Sequence, residues 1–204
     1  MSRATMPATR ARSPRRLPPL ARREQLVDAA TVEIARRGFA DFSLDAVAAR
    51  ADVTRNLLYH YFPRGRIDVF LAALDRAGLE LTEGWVTAAE RSPEERFTEN
   101  FDRVADHVMA QTDAWRVYRQ AQGLADREVR AVLRRYRDLV LANVSMNQLG
   151  NTDPQRPLAR VGLAAYLAYV EAALDEALEL GVAREEVRGL LERVLSATVE
   201  ASSR

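Results

Sequence analysis

From Ala21 onward, apolar positions recur at spacings of three and four, the period of a helix with one buried face. No stretch alternates as a half-buried strand would, and no internal repeat is visible. The spacing predicts a first helix over residues 21–37, with Leu26, Ala29, Ala30, Val32 and Ile34 on its inner stripe and Glu33 interrupting that stripe. Gly38 follows as a C-cap, and Phe39 and Phe42 close over the end. Ser43 caps a second short helix, SLDAVAARA, which turns Leu44, Val47 and Ala48 inward. Asp52 and Val53 form a tight turn. Thr54 then caps a third helix over residues 55–62, where Leu58 and Phe62 face inward, Asn56 and His60 face outward, and Leu57 and Tyr59 lie on the flanks.

The pattern continues with a helix over residues 66–84. Ser92-Pro93-Glu94-Glu95 opens the next helix with a cap, a proline at the first helical position and two acids favoured by the helix dipole. Further helices are expected around Trp115, Val117 and Tyr118, over residues 126–148, over 155–180 and over 184–200, with the segment LGNTDPQRP and Gly181 as breaks. The expected fold is all-α. It has a three-helix, homeodomain-like helix-turn-helix over residues 21–65 and a helical domain over residues 66–204.

Composition changes this picture in two places. The 204-residue chain has no cysteine, which fits a reducing cytoplasm. No run of about 18 apolar residues is seen, so a membrane partner is not expected. The formal charge of +1 conceals an uneven distribution: every basic residue is arginine, and residues 1–23 hold seven of them and no acid. Residues 1–20, with four prolines, read as a disordered basic arm. Two readings stand for it, an arm that binds DNA and a solubilising extension.

A short helix that keeps a thin apolar face on a small core and shows the opposite face to solvent fits the second helix of a helix-turn-helix, which enters the major groove. Arg55 and Asn56 stand in its first turn, where base edges are read, and Leu57 can touch a thymine methyl. Tyr59, His60 and Tyr61 are placed to reach phosphates, with a core position as the other reading of Tyr61, and so are the Ser43 and Thr54 hydroxyls at their helix starts. The stretch from Arg23 to Leu71 resembles the DNA-binding domain of TetR-family bacterial regulators. Its Arg-Gly-Phe, Phe-Ser, Val-Ala and Val-Thr steps and its Leu-Tyr-His-Tyr-Phe run carry the resemblance. Asp52 stands where that family often has glycine, and Pro63-Arg64-Gly65-Arg66 replaces its usual phosphate-binding lysine segment, so Arg64 or Arg66 takes that role.

The resemblance implies an effector-binding and dimerisation domain after residue 66. Phe101, Val104, His107, Val108, Trp115, Tyr118, Tyr136, Val140, Asn143, Tyr166 and Tyr169 are candidates to line an effector cavity, against plain core packing. Glu171 reads either as a buried polar group or as an exposed one. The apolar stripes of the last two helices exceed what one terminal hairpin needs, so a homodimer is expected through Val170, Leu174, Leu178, Leu191 and Val194; the other reading packs them within one chain. Catalysis finds no support: there is no nucleophile motif or glycine-rich phosphate loop, and His60 and His107 lack metal-type spacing. No cofactor or metal is expected. The function that follows is a cytoplasmic transcriptional regulator, a repressor released from an inverted-repeat operator by a small apolar or aromatic ligand. The alternative is a helical ligand-binding or scaffold protein without specific DNA binding.

Overall fold

The computed structural model describes residues 17–85, 91–148 and 156–203, and among these every regular element is a helix. In chain order they are α1 (Pro19–Asp41), α2 (Leu44–Arg50), α3 (Arg55–Tyr61), α4 (Arg66–Thr82), α5 (Pro93–Met109), α6 (Asp113–Gln122), α7 (Arg127–Gln148), α8 (Pro157–Leu180) and α9 (Arg184–Ser203). Residues 1–16 of the expected arm, and most of the LGNTDPQRP break, lie outside the described residues. Pro19 and Leu20, counted with the arm in the sequence reading, begin α1, because proline fits a first helical turn that needs no N–H from it.

Local chemistry sets the boundaries. Gly38 takes φ +83°, outside the helical region, and separates the long run of α1 from its last turn. Ser43, Thr54, Ser92 and Thr112 each cap a helix start by accepting a bond from the backbone N–H three residues on. Ser92 and Glu95 complete a reciprocal capping box. Gly181 closes α8 in the left-handed conformation.

Two apolar cores result. The first joins α1, α2 and α3 to α4 and also takes in Ala114, Val117 and Ala121 of α6 and Val129 of α7. The second holds Phe97, Phe101, Trp115, Leu163, Tyr166, Leu174, Leu191 and neighbours from α5 to α9. Leu81, near the end of α4, packs against both. Packing therefore runs continuously across residues 65 and 66, where the sequence reading put a domain boundary.

Glu33, the acid that interrupts the α1 stripe, is buried. Its carboxylate accepts from Arg50 at 2.7 Å and from Arg37 at 3.0 Å, so the charge is compensated and α1 is tied to α2. The Arg50 bond outweighs the cost of burial and holds the carboxyl below its ordinary range.

By length and composition α8 is long and apolar enough to cross a membrane, which the sequence reading did not expect of any segment. Leu163, Tyr166, Leu174 and Ala177 of α8 are nevertheless buried in the second core, and its Glu171 is hydrogen-bonded to α6. Leu158, Val161 and Tyr169 remain exposed.

Candidate nucleic-acid interface and effector cavity

The turn between α2 and α3 sets the direction of the face expected to meet DNA. Asp52 takes φ +52°, a left-handed conformation that Asp tolerates better than most residues. The following N–H of Val53 donates to the Ala48 carbonyl at 3.0 Å. Gln25 of α1 donates to the Ala51 carbonyl at 2.9 Å and ties the turn to the body. Leu58 and Phe62 anchor α3 in the first core, which leaves Arg55, Asn56, Tyr59 and His60 exposed and Leu57 and Tyr61 half-buried. The Tyr61 ring meets the His60 ring edge-on at 5.2 Å.

Each arginine predicted to meet DNA has a partner within the chain. Arg55 donates to the Asp45 carboxylate at 2.9 and 3.2 Å and to the Tyr59 hydroxyl at 3.3 Å; the Tyr59 bond and the Asp45 charge push its guanidinium further above its ordinary value. Arg64 donates through Nε to Asp68 at 2.7 Å and through its two terminal nitrogens to Glu128 of α7 at 2.7 and 2.9 Å. Arg66 donates to the Phe39 carbonyl and, at 2.9 Å, to that of Ala40, with its guanidinium 4.6 Å from the Phe42 ring centre. It closes the end of α1. Of the two basic residues expected to take the phosphate-binding role, Arg64 is thus held by the half-buried Asp68 and the exposed Glu128, and Arg66 is committed to backbone carbonyls and an aromatic face.

A cavity of about 520 Å³ lies among α4, α5, α6, α7 and α8. Trp85, Phe97, Phe101, Trp115 and Tyr166 supply much of its apolar wall. Gly78 and Tyr136 join the wall to α4: an added Cβ at Gly78 would come within 2.3 Å of the Tyr136 ring, so only glycine lets that ring lie on the helix. The Tyr136 hydroxyl donates to α4 at Asp75, with both the backbone carbonyl and the carboxylate at 2.9 Å. Within the cavity, Tyr118 donates to one Glu171 oxygen at 2.8 Å and Gln122 to the other at 2.7 Å. Burial, with the Glu171 charge beside it, raises the Tyr118 hydroxyl above its ordinary range, and burial does the same to Tyr166.

Residues 26–73 match the family model of bacterial regulatory proteins, tetR family. This segment is a tetR-family DNA-binding domain. Such regulators act by binding DNA rather than by catalysis. The fold extends the likeness beyond the matched segment. A TetR-like transcriptional regulator from Rhodococcus sp. RHA1 aligns with TM-score 0.68 at 24% identity, covering 88% of this chain and 96% of that one. A tetR-family transcriptional regulator from Streptomyces coelicolor aligns with TM-score 0.76 at 23% identity, covering 92% of this chain and 84% of that one. The multidrug binding protein EbrR, solved in complex with proflavin, aligns with TM-score 0.60 at 22% identity, covering 85% of this chain and 99% of that one. No curated protein matches.

In this tetR-family frame five of the ten expected DNA residues, Ser43, Arg55, Tyr59, Arg64 and Arg66, border a shared surface hollow, whereas Thr54, Asn56, Leu57, His60 and Tyr61 do not. The expected cavity residues divide. Phe101, Val104, Trp115, Tyr118, Tyr136, Val140, Asn143 and Tyr166 line the space. His107, Val108 and Tyr169 do not: His107 pairs with the Thr112 hydroxyl at 3.0 Å, Val108 is fully buried in the second core, and Tyr169 is exposed on α8. Leu174 and Leu191, expected at the dimer interface, are buried within the chain, because the apolar stripes of α8 and α9 each have a side that faces the body. Sequence reasoning did not place Trp85, Asn100, Gln122, Arg130, Arg134 or Arg137 at the cavity. For the arginines a signal existed: they recur at the helical period beside Leu133 and Val140.

Proposed function

We propose that the protein is a ligand-responsive repressor that binds an inverted-repeat operator as a homodimer in the cytoplasm. One observation carries the DNA reading: α3 is anchored by Leu58 and Phe62, with Asn56 exposed in its first turn beside Arg55. In a two-fold dimer the recognition helices stand about 34 Å apart or slightly more and read two half-sites on one side of the duplex. Exposed Leu158, Val161, Ala165, Tyr169 and Ala172 on α8, with Leu190 on α9, support a second copy as the cover for this face.

The cavity supports an effector of drug size with a substantial apolar or aromatic body. EbrR, the relative bound to proflavin, is consistent with such a ligand. Coupling runs through α4, which lines the cavity with Gly78, Leu81 and Thr82 and enters the first core with Val69, Phe70, Ala73 and Leu74. A ligand that favours the arrangement with wrongly spaced heads releases DNA; equal affinity for both arrangements shifts nothing.

The test is selection of bound fragments from genomic DNA, followed by measurement on the selected sequence. Asn56→Ala is expected to cost about 1–3 kcal/mol and to relax preference at one base position. A full-length protein that enriches no sequence overturns the regulator reading.

A further inference from the structure

The charge around the cavity narrows the chemistry of its occupant, an inference that rests on reading the cavity as the effector site. Arg130, Arg134 and Arg137 stand on α7 at spacings of four and three, within an arc of roughly 60° on one helix face. All three line the cavity and are exposed, so they form part of its solvent-facing rim. Among the described residues none of their guanidinium groups has an ion pair or a hydrogen-bond partner, whereas the adjacent Arg135 pairs with Asp75, and Arg119 pairs with Asp175 at 2.6 Å. Three like charges on one face repel one another and gain nothing for the fold by standing together.

The one acid in the lining does not balance them. Both Glu171 oxygens are occupied by Tyr118 and Gln122, and Arg119 stands 3.6 Å away, so this carboxylate is already compensated within the protein. The site therefore has an aromatic interior, a satisfied acid and an uncompensated positive rim. A purely apolar ligand would leave the arginines idle, and a cation would meet repulsion at the entrance. Guanidinium groups pair well with carboxylate and phosphate oxygens, with which they form forked, charge-assisted bonds.

We propose that the effector is an amphiphilic anion whose apolar body fills the aromatic cavity and whose carboxylate or phosphate group is held at the rim by Arg130, Arg134 and Arg137. Its position follows from the helix. Val140 and Val144 continue the lining along α7 beyond the arginines, so the anionic end lies toward the start of α7 and the apolar body toward its later turns.

The experiment is calorimetric titration of the full-length protein, without DNA, against two matched series, each used below the concentration at which it self-associates. One series is decanoate, decyl phosphate, decanol and decyltrimethylammonium; the other is 2-naphthoate, 2-naphthyl phosphate, 2-naphthol and 2-naphthylmethylammonium. At least one anion is expected to bind about tenfold or more tighter than its neutral counterpart, with an advantage that shrinks as salt is added. In the variant carrying Arg130→Gln, Arg134→Gln and Arg137→Gln that advantage disappears while the neutral compound binds as before, which separates lost recognition from lost folding. Comparing the two series distinguishes a chain-like body from an aromatic one. Preference for the neutral or cationic members, an anion advantage that survives the triple substitution, or no binding by any member overturns the proposal. A second arm measures release of the genome-selected DNA: an anion that binds through the three arginines yet leaves the DNA complex intact upholds the ligand class and defeats the repressor mechanism instead.

Discussion

Arg64, in the turn after the recognition helix, grips Glu128 of α7 with two parallel bonds of 2.7 and 2.9 Å. Arg64 is exposed, so the pair counts for little in stability; its interest is that a DNA phosphate competes for the same guanidinium. Glu128→Gln is expected to tighten binding to all duplexes by a few fold, with little change in melting temperature, and Arg64→Ala to weaken binding to all duplexes and lower the salt slope by about one. Fluorescence anisotropy at several salt concentrations checks both. Equal affinities for wild type and Glu128→Gln at every salt concentration would remove this competition from the account.

Asp45 restrains Arg55 in the same manner on the reading face itself. Asp45→Asn is expected to increase affinity for DNA while narrowing the gap between operator and random sequence, since Arg55 is freed for any nearby phosphate. Paired binding curves on the two DNAs read that gap.

The Gly78 and Tyr136 contact predicts an effect on both stability and signalling. Gly78→Ala places a methyl group inside the ring's contact distance and is expected to destabilise the fold by about 1–3 kcal/mol, the usual cost of overpacking. Tyr136→Leu alone loses the hydroxyl bonds to Asp75, but in the Gly78→Ala background it should recover part of the loss. Denaturant unfolding of the four proteins in the cycle gives the coupling directly.

Acid should loosen the contact between α1 and α2 before the rest of the molecule unfolds. The Glu33 carboxyl is held below its ordinary value of 4.5, so its stabilisation is complete above that value and fades as pH falls through the lower folded value. Glu33→Gln is expected to cost about 1–3 kcal/mol at neutral pH and to flatten the stability profile below about pH 4.5. Urea midpoints measured from pH 7 to pH 3 for both proteins test the sign.

Two substitutions on the final helices separate association from folding. Val161→Arg, on the exposed stripe of α8, is expected to yield a folded monomer with greatly weakened affinity for the inverted repeat. Leu191→Arg buries a charge in the second core and is expected to unfold that part of the chain. Sedimentation and circular dichroism distinguish the two; a monomeric Val161→Arg protein with full operator affinity would break the link between dimerisation and DNA reading.

The DNA-reading head was legible because its determinants are local. The Ser43 and Thr54 caps, the Gly38 stop and the inward Leu58 each act within a few residues of themselves, and Asp52 takes the turn that its position required. What depends on distant partners was not legible. Helical period marks Leu174 and Leu191 as apolar without saying whether the chain or a second copy covers them. It likewise cannot pair Arg64 with Glu128, 64 positions away, or reveal that Arg66 turns back to α1. The arginine row on α7 was visible as spacing, but nothing local shows that it borders a cavity.

The first core reaches past the helix-turn-helix into α6 and α7 through Ala114, Val117, Ala121 and Val129. As a result the reading head cannot be treated as an interchangeable cassette. A fragment ending at Gly65 would strip Val69, Phe70, Ala73 and Leu74 of α4 and Ala114, Val117 and Ala121 of α6 from the core that holds Leu26, Ile34 and Phe42. Grafting this recognition helix onto another sensor body would therefore mean carrying α4, and the matching small residues of α6, along with it.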